Sequence, residues 1–84
     1  MSKEPFMDVI VQTVLFLELS DAQTVDQDAA VAMLEQIAAT LQRLDSSEKT
    51  RFLQYLQLRA SEATKAEERE TIESMASNLG LASE

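Results

Sequence analysis

Residues 5–19 read PFMDVIVQTVLFLEL, and whether this stretch is a helix or a strand decides the fold. Phe6, Met7, Val9, Ile10, Val11, Val14, Leu15, Phe16, Leu17 and Leu19 are apolar, and at helical spacing they cover most of the circumference. A helix apolar on so many sides must be covered on more than one of them, either centrally in a bundle or at a dimer interface. The rival is a strand, because Val9, Ile10, Val11, Thr13 and Val14 are β-branched and short apolar runs are ambiguous. A strand needs a partner, and no second strand is visible along the chain. The stretch is therefore read as a helix, with Pro5 in a first turn where its missing N–H has no intrahelical acceptor to lose.

The rest of the chain carries helical periodicity. Ser20 to Thr24 reads as a turn, and Thr24 with Gln27 three residues on fits a capping box opening a second helix over 25–44. Ala30, Leu34, Ile37, Leu41 and Leu44 form one apolar seam with a period near 3.5, beside Met33 and Ala38, suited to near-antiparallel packing on another helix. Asp45 with Glu48 is a second capping box, for a third helix over 46–63 with Phe52, Leu53, Leu56, Ala60 and Ala63 inward and Tyr55 and Leu58 at the margins. Thr64 with Glu67 repeats the signature for a fourth helix over 65–79, with the stripe Ile72, Met75, Ala76 and Leu79 inside and an Arg69–Glu73 pair outside. Gly80 stands where a left-handed cap belongs, and Leu81 is placed for the accompanying apolar contact.

Short connections favour a single domain over 1–84: an all-α, compact antiparallel bundle of four helices. Helices three and four are open to a second reading as one bent helix, because no Pro or Gly separates them. Eighty-four residues bury only about 60% of the surface of the unfolded chain, so the core is modest. The absence of Cys leaves no disulfide framework, thiolate metal site or cysteine nucleophile. The apolar run from Val9 to Leu19 is interrupted by Gln12, Thr13 and Glu18 and falls short of the roughly 20 residues of a bilayer span. It also lacks the flanks of a secretory signal, so the expected setting is soluble and cytoplasmic, with no membrane partner.

Chemistry is narrowed by elimination. Without His the chain lacks the commonest general base, a frequent metal ligand and the Glu-x-x-His pairs of a helical di-iron site. Asp21, Asp26 and Asp28 do not match the spacing of a calcium loop, and Gly80 alone builds no phosphate cradle. No acid stands in an evident apolar pocket that would raise its pKa for acid catalysis. The expectation is of no catalytic residue, no cofactor and no metal, hence not an enzyme. Lys49, Arg51 and Arg59 on the third helix suggest a nucleic-acid face at most weakly, since a net charge of −8 with pI near 4.3 opposes phosphate docking. They read instead as balancing Glu48 and Glu62.

Charge is the most uneven property of the chain. Residues 1–42 carry seven acids and the single base Lys3, and between Glu4 and Arg43 there is no base at all. Residues 43–84 carry eight acids and six bases, the mixture an ordinary solvated surface shows. Asp26 and Asp28 fall where negative charge steadies the dipole of the second helix, by about 0.3 to 1 kcal/mol. Glu18, Asp21 and Glu35 extend the cluster around the first interhelical turn. Such a field repels nucleic acid and anionic membrane and attracts a basic protein surface. Glu18, Asp21, Asp26, Asp28 and Glu35 are therefore the candidate partner-binding residues, with Tyr55 as a further candidate anchor.

An apolar first helix ending FLELSD (16–21), an acidic turn, the segment VDQDAAVAMLEQIAATLQRL (25–44) and a closing IESMASNLGL (72–81) together resemble the small acidic helical immunity proteins of bacterial antibacterial toxin systems. The resemblance spans most of the chain and is one of size, charge and pattern. It implies a non-catalytic protein that binds and neutralises a cognate toxin, often a nuclease or another enzyme acting in the cytoplasm, in the cell that makes it. Two other readings stand beside it: a structural or regulatory module that self-associates as a homodimer through the first helix, and an acidic mimic of nucleic acid that occupies a basic groove.

Overall fold

Residues 5–19 are helical. The computed structural model describes residues 5–81, and these form α1 Pro5–Leu19, α2 Gln27–Leu41, α3 Ser46–Glu62 and α4 Ala66–Asn78, with no strand among them. The all-α bundle expected from periodicity is the fold observed. Glu4 and Lys3, at the edge of the base-free stretch, lie outside the described residues.

α1 is the central element, packing on each of the other three helices. Its inner side drives fully buried Val11 and Val14 into the core, while Met7, Ile10 and Leu15 pack against it on the flanks. The most extensive pairing is between α3 and α4, which form an αα-hairpin and bury Phe52, Tyr55, Leu56 and Ala60 against Ile72 and Met75. The reading of α3 and α4 as one bent helix is thereby excluded. Ala63 and Lys65 both adopt extended backbone angles, and the N–H of Ala63 bonds back to Ala60 at 3.2 Å to close α3. Ala63 is itself buried, so the side chain at the break anchors the turn that Pro or Gly supplies elsewhere.

α2 is the least enclosed helix. Of its seam, Ala30 and Leu41 are buried, while Leu34, Ile37 and the post-helical Leu44 are half-buried. It is shorter than its periodicity suggested at both ends. At the C-terminal end the N–H groups of Arg43 and Leu44 bond to carbonyls three residues back, Thr40 and Leu41, which tightens the chain out of the α-helix.

The caps correct two expectations. Thr24 does not cap α2. Its N–H is taken by the Asp21 carboxylate at 3.0 Å, and Asp26, next to the helix, accepts the Ala29 N–H at 2.9 Å. A carboxylate is the stronger N-cap acceptor and here stands one position from the helix. Thr64 does not cap α4 either, because Lys65 occupies the cap position and supplies no side-chain bond. Arg69, expected to pair with Glu73, instead donates from Nη2 to the Ala63 carbonyl at 3.0 Å and holds the α3–α4 turn. Asp45 does cap α3, accepting the Glu48 N–H at 2.8 Å.

The C-terminal signal is realised in full. Gly80 has φ of +72°, the Leu81 N–H reaches the Ala76 carbonyl at 2.8 Å, and the Gly80 N–H reaches that of Ser77 at 3.0 Å. This is a Schellman motif, and Leu81 is buried in its apolar contact. Gln42 donates from Nε2 to the Leu79 carbonyl at 3.0 Å, which ties the end of α2 to the end of α4.

Candidate functional site

Of the five acids singled out in the sequence, Glu18, Asp21, Asp26 and Asp28 lie at or beside the α1–α2 turn while Glu35 lies two turns into α2, and all five are exposed. Two of them hold local structure. Asp21 accepts backbone N–H bonds from Thr24 and Gln23, at 3.0 and 3.1 Å, and these bonds, Thr24 first, hold its carboxyl below the ordinary value of 3.8. Asp26 is the α2 cap described above. The remaining three, Glu18, Asp28 and Glu35, have no hydrogen-bond or ion-pair partner among the described residues. Asp28 and Glu35 are seven residues apart and so share one face of α2, with exposed Val31 between them. No group of acids among the described residues is arranged to hold a metal ion, and no described helix is long and apolar enough to cross a membrane.

Tyr55 lies elsewhere. It is buried in the core, and its hydroxyl donates to Oδ1 of Asp8 at 2.6 Å. Arg59 Nε donates to the same oxygen at 2.9 Å, and Gln12 Nε2 donates to Oδ2 at 2.6 Å. Asp8 is therefore a latch between α1 and α3. The Tyr55 hydroxyl above all, then Gln12 and the Arg59 guanidinium, lower its carboxyl below 3.8 against an opposing desolvation. Sequence reading passed over Asp8, although an acid within an otherwise apolar helix and a Tyr–Arg pair four apart on α3 carried the signal.

The outer side of α1 is the less expected surface. Phe6 is 83% exposed, Val9 60% and Phe16 54%, and with Thr13 they fall at i, i+3, i+7 and i+10, one stripe of a helix. Beside this stripe runs an open apolar groove between α1 and α2. It is a cavity of about 270 Å³ lined by Ile10, Met33, Ile37 and Leu41, and a separate one of about 250 Å³ lies between Phe6, Ile10 and Leu44 and the α3 residues Glu48, Arg51 and Phe52. The two cavities share Ile10 and Leu41 in their linings. Apolar residues on so much of α1 were legible in the sequence. Which of them the bundle leaves uncovered was not, because that depends on where α2 docks.

Set against known proteins, the chain matches no protein-family model, no curated protein and no solved structure.

Proposed function

We propose that this chain is a non-catalytic protein-binding module for a basic protein surface, and, in line with its resemblance to acidic helical immunity proteins, that it neutralises a cognate toxin in the cytoplasm. The observation that carries the reading is the exposure of Glu18, Asp28 and Glu35, unpaired among the described residues, on helices that hold no base. A solvated surface of no further purpose intersperses both signs, as α3 and α4 do here. Complementary charge would speed the encounter, and exposed apolar residues near the acids would lengthen the lifetime of the complex.

The test is the combined variant Glu18→Lys, Asp28→Lys and Glu35→Lys, which spares the two acids that cap backbone N–H groups. Where a toxin gene adjoins the gene for this chain, the wild type should protect cells from that toxin and the variant should not. In binding kinetics the variant should associate about tenfold or more slowly at low salt, with the difference shrinking as salt rises. Unchanged association and unchanged salt dependence would refute the reading. Self-association through α1 is the second reading, and the exposure of Phe6, Val9 and Phe16 favours it.

A further inference from the structure

We infer that α2 is a hinged strap: it undocks from α1 and melts as one unit while α1, α3 and α4 stay folded, and Gln42 is the pin that holds it closed. α2 packs chiefly on α1, whereas α3 and α4 pair most extensively with each other. The largest fully buried side chains, Phe52, Ile72, Met75, Val11 and Val14, all stand on the other three helices. From α2 only Ala30, in the first turn, and Leu41, the last residue, are buried, and between them Leu34, Ile37 and Ala38 are half-buried. The interface is also incompletely filled. An open cavity of about 270 Å³ lies between Ile10 of α1 and Met33, Ile37 and Leu41 of α2, and the atoms lining it forgo the dispersion contacts of a close-packed seam. Few buried apolar groups and sparse packing mark the element that opens first.

The other helices have ties that do not pass through α2. Asp8 on α1 accepts from Tyr55 and Arg59 on α3, and Arg69 on α4 donates to the carbonyl of Ala63, which ends α3. Asp45 caps α3 directly through the Glu48 N–H, and the bonds that Asp21 accepts come from Gln23 and Thr24, so the connections on either side of α2 keep their local structure when it leaves. Among the described residues, α2 has one side-chain hydrogen bond to a distant element: Gln42, at its C-cap, donates from Nε2 to the Leu79 carbonyl at 3.0 Å. The fit is close. A β-carbon at Gly80 would stand 2.6 Å from the same nitrogen, so the glycine that caps α4 also leaves room for the pin. Once undocked, a helix of 15 residues is marginal in water, so undocking and melting are one event.

As a control on the acidic surface, the inference rests on the basic-partner reading. Asp28 and Glu35 ride on α2 and Glu18 on α1, so the three stand in fixed register only while the strap is closed. A partner that bridges them binds the closed form alone and holds the strap shut.

The experiment is native-state amide exchange of the full chain by NMR at increasing low urea, as wild type, Gln42→Ala and Tyr55→Phe. Gln42 is exposed and Phe keeps the buried ring, so both variants should fold. In wild type the amides from Val31 to Leu41 should exchange about tenfold or more faster, relative to their intrinsic rates, than the slowest amides of α3 and α4. Their urea dependence should be much weaker, because opening one helix exposes little surface. The Tyr55–Asp8 bond survives in the opened form, so Tyr55→Phe should speed the slowest α3 and α4 amides about tenfold and leave those of α2 within about twofold. The Gln42 bond is broken in both the opened and the unfolded forms, so Gln42→Ala should speed the amides of α2, α3 and α4 alike. Equal acceleration of α2 and α3 by Tyr55→Phe, or one urea slope for all four helices, shows a single cooperative unit and overturns the strap while the basic-partner reading stands. An α2 that opens alone but does not respond to Gln42→Ala overturns the pin. Selective exchange of α2 together with unchanged association of the variant carrying Glu18→Lys, Asp28→Lys and Glu35→Lys supports the strap and refutes the basic-partner reading.

Discussion

Replacing Tyr55 with Phe isolates the latch that fixes α1, and with it the outer stripe, on the rest of the bundle. The substitution removes one oxygen and leaves the buried ring in place, so no cavity term enters. What is lost is a 2.6 Å bond to Asp8. A hydrogen bond to a charged acceptor is worth about 1.5 to 3 kcal/mol. The Asp8 side chain is 28% exposed, so water replaces part of the loss, and Arg59 and Gln12 stay on the carboxylate. The expected cost is therefore about 1 to 2 kcal/mol, a fall in Tm of roughly 4 to 16 °C for a domain of this size.

The measurement is urea unfolding followed by far-UV circular dichroism, for wild type, Tyr55→Phe, Asp8→Asn and the double variant. The cycle should show the Tyr55→Phe cost shrinking by about 1 kcal/mol when Asp8 is already neutral. The pH dependence has a definite sign. Asp8 is depressed in the folded state, so its contribution is present above the unfolded value near 3.8 and is lost as pH falls through the folded value. Because Tyr55 is the largest cause of the depression, wild type and variant should differ fully well above pH 3.8 and converge only as pH falls through the folded value of Asp8, which lies below 3.8. A Tyr55→Phe cost under about 0.5 kcal/mol, or strict additivity with Asp8→Asn, would show that the latch does not hold α1.

Two further perturbations probe the frame around the acidic surface. Asp26→Ala and Asp45→Ala should each cost about 1 kcal/mol in the same unfolding assay, whereas Thr24→Ala and Thr64→Ala should change stability little, reversing the order their sequence spacing suggested. Gly80→Ala should cost about 2 kcal/mol, from a left-handed φ of +72° and from a methyl group 2.6 Å from Gln42 Nε2 that displaces its bond to Leu79. Adding Gln42→Ala to Gly80→Ala should then cost less than Gln42→Ala alone, as the bond is already lost.

Local physics made much of this protein legible in its sequence. Apolar periodicity identified four helices, because burial of one face is required wherever a helix packs. Gly80 announced its cap through a conformation that other residues enter only at a cost, and the charge asymmetry needed no coordinates at all. Caps were harder to read. Thr24 and Asp26 both offered acceptors near one helix end, and the choice depended on where the helix starts: at Gln27, directly after Asp26. Tertiary structure alone decided the rest. Asp8 met Tyr55 and Arg59 across about fifty residues of chain, a contact that no local pattern encodes. The same docking settled which side of α1 stays open. Ten apolar residues stand on that helix, but three neighbours cover only part of a cylinder, and the position of α2 left Phe6, Val9 and Phe16 facing water.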